Sequence, residues 1–181
     1  MTTWKIDPAH SEVNFKVKHL VVSTVRGSFN DFEATIESGN EDFSDAKIKF
    51  EAYTNSINTR NSDRDTHLKS PDFFDAQNYE KISFVSTSVK KISDHELKVK
   101  GSLTIRDITK EITLDVIYNG VVEGMGGNEV AGFEISANLN RFDYDLKWNA
   151  LTEAGGVVVG NEVKIEILAE FIKAKSAVKA A

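Results

Sequence analysis

Residues 59–75 read Thr59-Arg60-Asn61-Ser62-Asp63-Arg64-Asp65-Thr66-His67-Leu68-Lys69-Ser70-Pro71-Asp72-Phe73-Phe74-Asp75, and they interrupt a chain that otherwise alternates apolar and polar residues with a period of two. Ser62 is suited to capping a helix, and Asp65 three positions later approximates a capping box. Pro71 disfavours helical geometry in the residue before it. The stretch therefore predicts one short helix near residues 61–70.

Two adjacent phenylalanines, Phe73 and Phe74, follow the predicted helix on a connection that is otherwise polar. Large aromatic side chains of this kind need an apolar place to pack. We expect them to lie at the end of whatever the strands enclose. They would act either as a plug or gate over a cavity or as a small separate core beneath the helix.

The alternation on both sides of this stretch predicts β-strands, because successive side chains of a strand point to opposite faces. Residues 81–89 fit two phases. In one phase Ile82 and Phe84 face inward, and in the other Val85 and Val89 do. The clearest alternating stretches are residues 12–18, 47–52, 96–105, 112–118, 133–139 and 163–171.

Glycines and phase changes indicate where the strand pattern is interrupted. Gly27 is expected to end an apolar stretch at residues 21–25. Five glycines within residues 120–132 indicate a mobile loop that contains part of a strand. A change of phase between Phe29 and Phe32 predicts a bulge or bend.

About eight alternating strands and one short helix predict a closed sheet. Each strand is polar on one face and apolar on the other, and one helix is too small to cover all the apolar faces. Several strands reach about 30 Å at about 3.3 Å per residue, which is long for a sandwich and natural for an up-and-down barrel. The sequence therefore predicts an all-β fold, an eight-stranded antiparallel barrel, as one domain over residues 1–172 with a flexible tail at 173–181.

The interior of an eight-stranded barrel is just wide enough to be filled by side chains or to hold one small ligand. The predicted inward residues mix large and small side chains, so both alternatives stay open: a packed core, or an elongated apolar cavity. The large residues are Phe15, Phe50, Phe84 and Phe133, and the small ones are Ala34, Ala52, Gly101, Ala137 and Ala169.

The composition excludes several kinds of partner and site. The net charge of −6 argues against nucleic acid as the main partner, because phosphate binding needs clustered cations. The absence of cysteine rules out a disulfide, a thiol nucleophile and a thiolate metal site. The first five residues lack the features of a signal peptide, so we expect a cytoplasmic protein, or a periplasmic one if the chain starts at a mature N-terminus. No apolar run approaches the length of a transmembrane segment.

The sequence lacks the common motifs of catalysis and metal binding. It has no Gly-rich phosphate loop, no Gly-x-Ser-x-Gly elbow and no His-Glu-x-x-His pair. His10, His19 and His67 could meet only through the fold, since no two of them have the short spacing of a known ligand motif. We therefore predict no catalytic residue, no metal and no required cofactor.

Six blocks of the sequence follow one another over nearly the whole chain. They are Trp4-x-Ile6-Asp7-x-x-His10-Ser11-x-Val13-x-Phe15, His19-Leu20 with Gly27-x-Phe29-x-x-Phe32, Ser56-Ile57-x-Thr59 with Asp65-x-His67-Leu68-x-Ser70-x-Asp72-Phe73-Phe74-Asp75, Ile82-x-Phe84-x-Ser86-Thr87, Gly101-x-Leu103-Thr104-Ile105-Arg106 and Arg141-x-Asp143-Tyr144. Together these blocks resemble the motifs of the YceI-like family. The last block is similar to an Arg-x-Asp-Phe-Gly segment of that family, and Asp145 departs from the pattern.

The resemblance implies a lipocalin-like barrel with an elongated apolar cavity for a polyisoprenoid, an isoprenoid quinone or another long-chain amphiphile. It also implies a homodimer. The implied function is to carry or sequester such a lipid, with no cofactor besides the bound lipid. Two alternatives stay open: an enzyme that acts on a long-chain lipid, and an interaction scaffold whose barrel core is filled.

The residues expected to contact the ligand fall into three groups. Phe73 and Phe74 would plug or gate the cavity. Arg60 and His67 would contact the head group, unless they and Asp65 form a structural network in which Asp65 fixes neighbouring backbone amides. The cavity wall would contain Phe15, Val17, Phe29, Phe32, Phe50, Phe84, Leu103, Ile105, Leu114, Phe133, Ile135, Ala137 and Ile167.

Overall fold

Residues 1–175 of the chain are described by a computed structural model, and they form eleven strands and one α-helix. The helix, α1, spans Ser62–Lys69, and single turns of 3-10 helix span Pro8–His10, Thr54–Ser56 and Arg141–Tyr144. The strands are Thr2–Ile6 (β1), Glu12–His19 (β2), Ser23–Phe29 (β3), Phe32–Ser38 (β4), Lys47–Tyr53 (β5), Ile57–Asn58 (β6), Lys81–Lys91 (β7), Glu96–Ile105 (β8), Ile108–Glu123 (β9), Glu129–Asn140 (β10) and Val159–Lys173 (β11). Most of the predicted tail, residues 176–181, lies outside the described residues.

All the strands belong to one antiparallel sheet that closes on itself. Its order is β1-β4-β5-β7-β8-β9-β10-β11, and β11 pairs again with β1. β11 also pairs with β2, which is followed in the sheet by β3 and β6. Three positions around the barrel are therefore each occupied by two strands in line: β1 with β2, β3 with β4, and β5 with β6. The predicted eight-stranded antiparallel barrel with one short helix is confirmed.

The predicted bend between Phe29 and Phe32 lies at residues 30–31, where β3 ends and β4 begins. Both phenylalanines are buried. The bend lets one stretch of chain pair first with β2 and then with β1. Interruptions of this kind explain why eight positions around the barrel hold eleven strands.

β7 uses both of the phases that its sequence allowed. Its pairing with β8 shifts between Ser86 and Ser88, which leaves Thr87 as the extra residue of a β-bulge. Before the bulge Phe84 is buried, and after it Val89 lies on the interior wall.

Two glycines make room for phenyl rings on the neighbouring strand. A Cβ atom at Gly27 would lie 2.2 Å from Cζ of Phe15. A Cβ atom at Gly101 would lie 2.4 Å from Cζ of Phe84 and 2.5 Å from the carbonyl oxygen of Val85. Gly27 lies inside β3, so the prediction that it ends a strand was wrong. Close packing, and not a turn, requires glycine at this position.

The loop predicted at residues 120–132 is wrong over most of its length. β9 continues to Glu123 and β10 begins at Glu129, so only residues 124–128 connect them. The pairing of β9 with β10 shifts by one residue near Gly120, whose φ of +101 suits glycine. Two of the five glycines, Gly120 and Gly132, lie at a bulge in a long hairpin and the other three lie in its turn, which a count of glycines alone does not distinguish from a loop.

The helix α1 is capped by Asn61 and not by Ser62 as predicted. The side-chain oxygen of Asn61 accepts a hydrogen bond from the Arg64 N–H at 2.9 Å. Ser62 is the first helical residue, and the error arose because both residue types are good N-caps. Within the described part of the chain, no helix combines the length and the apolar character needed to cross a bilayer.

Candidate functional site

The barrel encloses a cavity of about 240 Å³ whose walls are almost entirely aliphatic and aromatic. Along β11 alone the wall extends from Val159 to Phe171, about 40 Å of strand at about 3.3 Å per residue. The interior is therefore elongated and not filled by side chains. Asn14, Arg141 and Tyr144 are the polar residues of the described wall.

Most of the residues predicted to contact a ligand lie on this wall. The structure thus brings together predicted side chains from the strands and from the turn that follows α1. Ligand contact itself stays a prediction. The predicted residues on the wall are Phe15, Val17, Phe29, Phe50, Phe73, Phe74, Phe84, Leu103, Ile105, Leu114, Phe133, Ile135, Ala137 and Ile167.

Three predicted contact residues lie away from the wall. Phe32 is buried in the core outside the cavity lining. Arg60 is exposed, with a φ of 62, and its backbone N–H donates to Oδ1 of Asn58 at 2.9 Å. His67 lies in an outer layer, where its Nε2 is 2.9 Å from a carboxylate oxygen of Asp72. Head-group contact by Arg60 or His67 would require the ligand to extend beyond the cavity.

A structural network centres on Thr59, just before α1. Oδ1 of Asp65 accepts hydrogen bonds from the Thr59 N–H at 2.8 Å and from its hydroxyl at 2.6 Å. The Arg64 guanidinium donates to the Thr59 hydroxyl oxygen at 2.7 Å and to its carbonyl oxygen at 2.8 Å. Asp65 therefore fixes a neighbouring backbone amide. The arginine of this network is Arg64, and not Arg60 as predicted.

One end of the cavity is covered by α1 and by the connection at residues 141–158; we call this the helix end. Phe73 and Phe74 lie on the wall here. The ring centroid of His67 lies 4.6 Å from that of Trp148 and 5.1 Å from that of Phe73. These aromatic contacts hold the two covering segments together.

The opposite end, which we call the aromatic end, is closed by Phe43. Its ring centroid lies 5.4 Å from Trp4, 5.3 Å from Tyr118 and 5.1 Å from Phe133. Sequence reasoning missed Phe43, although the signal was the same as for Phe73: a phenylalanine on an otherwise polar connection.

Arg141 is a buried cation that holds the connection at the helix end in place. Its side chain is only 5% exposed. The guanidinium donates to the carbonyl oxygens of Gly160 and Trp148 at 2.8 Å, of Leu146 at 2.5 Å and of Val159 at 3.2 Å. Burial lowers the pKa of Arg141. No carboxylate among residues 1–175 forms an ion pair with it, so its charge is stabilised by backbone dipoles and by a neighbouring phenyl ring whose centroid lies 4.7 Å from the guanidinium carbon.

Tyr144 lies on the wall at the same end and is 2% exposed. Its hydroxyl has no hydrogen-bond partner within the described chain. Burial, with a smaller contribution from the Asp143 carboxylate, raises the pKa of Tyr144 to about 12. A buried hydroxyl without a partner is destabilising. Sequence reasoning named neither Tyr144 nor Arg141 as a wall residue.

Replacing Tyr144 with Phe is expected to stabilise the protein by about 1 kcal/mol at neutral pH, because it removes an unpartnered buried hydroxyl. The unfolded tyrosine ionises near its ordinary pKa of about 10, below the folded value. The wild type should therefore lose stability as the pH rises from about 10 towards 12, and this loss should be smaller in Tyr144→Phe. Urea unfolding of both proteins across this pH range measures the difference. Equal stability at all pH values would contradict the assignment.

Asp7, His10 and Glu170 are the described side chains that could converge on a cation, since one ligand atom of each lies within 4.8 Å of the others. Nδ1 of His10 is 2.8 Å from Asp7 Oδ2 and 3.8 Å from Glu170 Oε1. The hydrogen bond with Asp7 raises the pKa of His10, and the same bond lowers the pKa of Asp7. The contact between His10 and Asp7 accounts for the cluster as an ion pair, and His10 is exposed.

Comparisons with known proteins agree with the barrel fold. A UPF0312 protein of Staphylococcus aureus (strain MSSA476) is 45% identical over 172 residues, which cover 94% of this chain and 98% of that protein. The crystal structure of the Campylobacter jejuni YCEI protein has a TM-score of 0.75 and 30% identity, covering 88% of this chain and 90% of that one.

A more distant structure shares the fold alone. It is a domain from Saccharophagus degradans described as polyisoprenoid binding, with a TM-score of 0.69 and 13% identity, covering 94% of this chain and 98% of that one. Residues 4–171 match the YceI-like domain family. The chain therefore belongs to the YceI-like domain family.

Proposed function

We propose that this protein binds one long-chain apolar ligand inside the barrel and carries or sequesters it. The ligand is a polyisoprenoid, an isoprenoid quinone or a fatty-acid-like amphiphile. The observation that carries the proposal is the continuous apolar wall from the helix end to the aromatic end. The polyisoprenoid-binding description of the Saccharophagus degradans domain supports the same ligand class.

The cavity suits a hydrocarbon chain because each methylene group removed from water contributes about 0.8 kcal/mol. An ionised head group deep in the cavity would lack partners and would be costly to bury. The head group is therefore expected at the helix end, where Arg141 and Tyr144 supply the polar part of the wall.

The wall favours binding over catalysis. Catalysis requires several polar groups that converge on a substrate. The described wall has three polar residues, and the guanidinium of Arg141 already donates to four backbone carbonyls. Among these three residues the Tyr144 hydroxyl alone is buried without a partner, and one hydroxyl whose pKa is raised to about 12 is not a converging set of acid, base and nucleophile.

Native mass spectrometry of freshly purified protein, followed by organic extraction, tests the proposal. We expect one long-chain species per chain, released by the solvent and identified by its mass. A protein that stays bare after incubation with quinones, polyprenyl lipids and fatty amides would overturn the proposal in favour of an interaction scaffold. The same spectra report the oligomeric state, which tests the homodimer. A cytoplasmic location stays a prediction.

A further inference from the structure

The β2–β3 hairpin ends in aliphatic side chains that the fold leaves exposed. Val21 is 72% exposed and Val22 is 87% exposed. A second small hairpin lies beside them, joined by a hydrogen bond from the Leu20 N–H to the Val158 carbonyl oxygen at 2.9 Å. It adds further exposed aliphatic side chains. We call this surface the apolar tip; its members are Leu20, Val21, Val22, Leu151 and Val157.

The backbone at the tip is unusual for these residue types. Leu20 has a φ of 52 and Val21 a φ of 64. Glycine, asparagine and aspartate adopt this region at little cost, whereas a β-branched residue such as valine is strained there. Burial does not compensate for the strain at Val21, because its side chain lies largely in solvent. Folding therefore does not explain why aliphatic residues occupy this turn.

The hairpin beneath the tip is basic in a chain that is acidic as a whole. Residues 12–29 hold three Lys or Arg residues and one acid, Glu12 at the end away from the tip, although the net charge of the chain is −6. Lys16 pairs with Arg26 across the two strands, so with Lys18 they share the outer face. Lys16 also contacts Glu166 at 2.5 Å, whereas Lys18 and Arg26 form no ion pair with any described residue. The neighbouring hairpin adds a single acid, Glu153.

We infer that the apolar tip inserts into the surface of a lipid bilayer whose anionic head groups are contacted by Lys18 and Arg26. Exposed aliphatic side chains flanked by free cations are the combination that binds proteins to anionic membranes. The choice of a bilayer as partner rests on the proposed function, because a long-chain lipid has almost no solubility in water.

The position of the tip fits this partner. His19 at the base of the tip pairs with Val159, and both Val159 and Val17 belong to the cavity wall. Docking would therefore bring the helix end of the cavity against the membrane. A lipid ligand that moves between the membrane and the cavity would then be exposed to little water.

Flotation of the purified protein with vesicles tests the inference. The protein should float with vesicles of phosphatidylcholine and phosphatidylglycerol, and binding should weaken with added salt and with pure phosphatidylcholine. The double variant Val21→Ser/Val22→Ser should lower vesicle binding about tenfold or more, because it removes the inserted surface without changing charge. Lys18→Gln/Arg26→Gln should reduce binding to the anionic vesicles only.

The matched control lies at the other end of the barrel. Val122 and Met125 are also largely exposed there, and Val122→Ser/Met125→Ser should bind vesicles as the wild type does. Equal binding by the tip variant, or an equal loss in the control, would overturn the inference. So would a tip variant that changes only self-association, because the partner would then be a second copy of the chain.

Failure of the docking surface can be separated from failure of the proposed function. Geranylacetone, a short prenyl ketone that can be added without vesicles, should bind the wild type and the tip variant equally. Binding of geranylacetone without any vesicle binding would overturn the docking surface alone. Vesicle binding that depends on the tip, without any uptake of geranylacetone or longer lipids, would uphold the docking surface and overturn the proposed cavity function.

Discussion

Replacing Ala137 with Phe is expected to abolish ligand binding while the barrel stays folded. Ala137 lies on the wall in β10, opposite Ile165 of β11. A phenyl ring here would project into the space that the ligand chain needs. We expect the affinity to fall at least about a hundredfold, which corresponds to about 2.8 kcal/mol. The ring enters a cavity and not a filled core, so stability should fall by less than about 2 kcal/mol.

Titration of a fluorescent prenyl probe into both proteins measures the affinity, and urea unfolding measures the stability. The control is Asn138→Phe, because Asn138 is the next residue of the same strand and is exposed on the outer face. It adds the same ring outside the barrel and should leave the affinity unchanged. A folded Ala137→Phe protein with wild-type affinity would show that the ligand does not occupy this part of the cavity.

Arg141→Met is expected to destabilise the protein by about 4 kcal/mol. Methionine fills a similar volume but has no donor, so the carbonyls of Leu146, Trp148, Val159 and Gly160 would lose their shared partner in a buried site. The connection at residues 141–158 would then be released from β11. Urea unfolding measures the loss of free energy.

The control for Arg141 is Arg60→Met. Arg60 is exposed and its side chain forms no hydrogen bond with the described chain, so the change should stay within about 0.5 kcal/mol. Ligand binding by Arg141→Met should weaken under conditions where the variant is still folded, since the segment that covers the helix end is loosened. Wild-type stability of Arg141→Met would mean that water replaces the guanidinium at these carbonyls.

The strict alternation of apolar and polar residues was enough to predict most strands of the barrel. The prediction for β8, residues 96–105, matches the structure at both ends, and the predicted strands at 12–18 and 47–52 each differ from β2 and β5 by one residue. Each of these strands has one face on the core, so burial imposes a period of two on the sequence. The short helix was predicted because its polar residues break that period.

The sequence did not predict features that depend on contacts between strands. The extra residue Thr87 in β7 changes which side chains face inward, and no local pattern reveals it. Gly27 was taken for the end of a strand because its partner, the ring of Phe15, lies on another strand. β1, residues 2–6, was not predicted because the stretch is short.

The apolar part of the candidate site was easier to predict than the polar part. A phenylalanine on a strand of a small barrel usually packs inside it, and nearly all the phenylalanines predicted to contact the ligand lie on the wall. Arg60 and His67 were chosen for their chemistry, but the chain turns at Thr59 so that Arg64 takes the inner position. Arg141 was overlooked as a wall residue because its partners are backbone carbonyls, which carry no sequence signal.

The pairing of β11 with β1 and β2 has a kinetic consequence. It joins residues 163–173 to residues 4–17, so the bonds that seal the barrel connect parts of the chain more than 145 residues apart. Contacts at such separation form late, because chain entropy is lost before they contribute any stability. During synthesis the growing sheet keeps an open edge until β11 leaves the ribosome. The closed cavity therefore forms only after β11 has been synthesised, and a ligand of the proposed kind would be enclosed at that step or later.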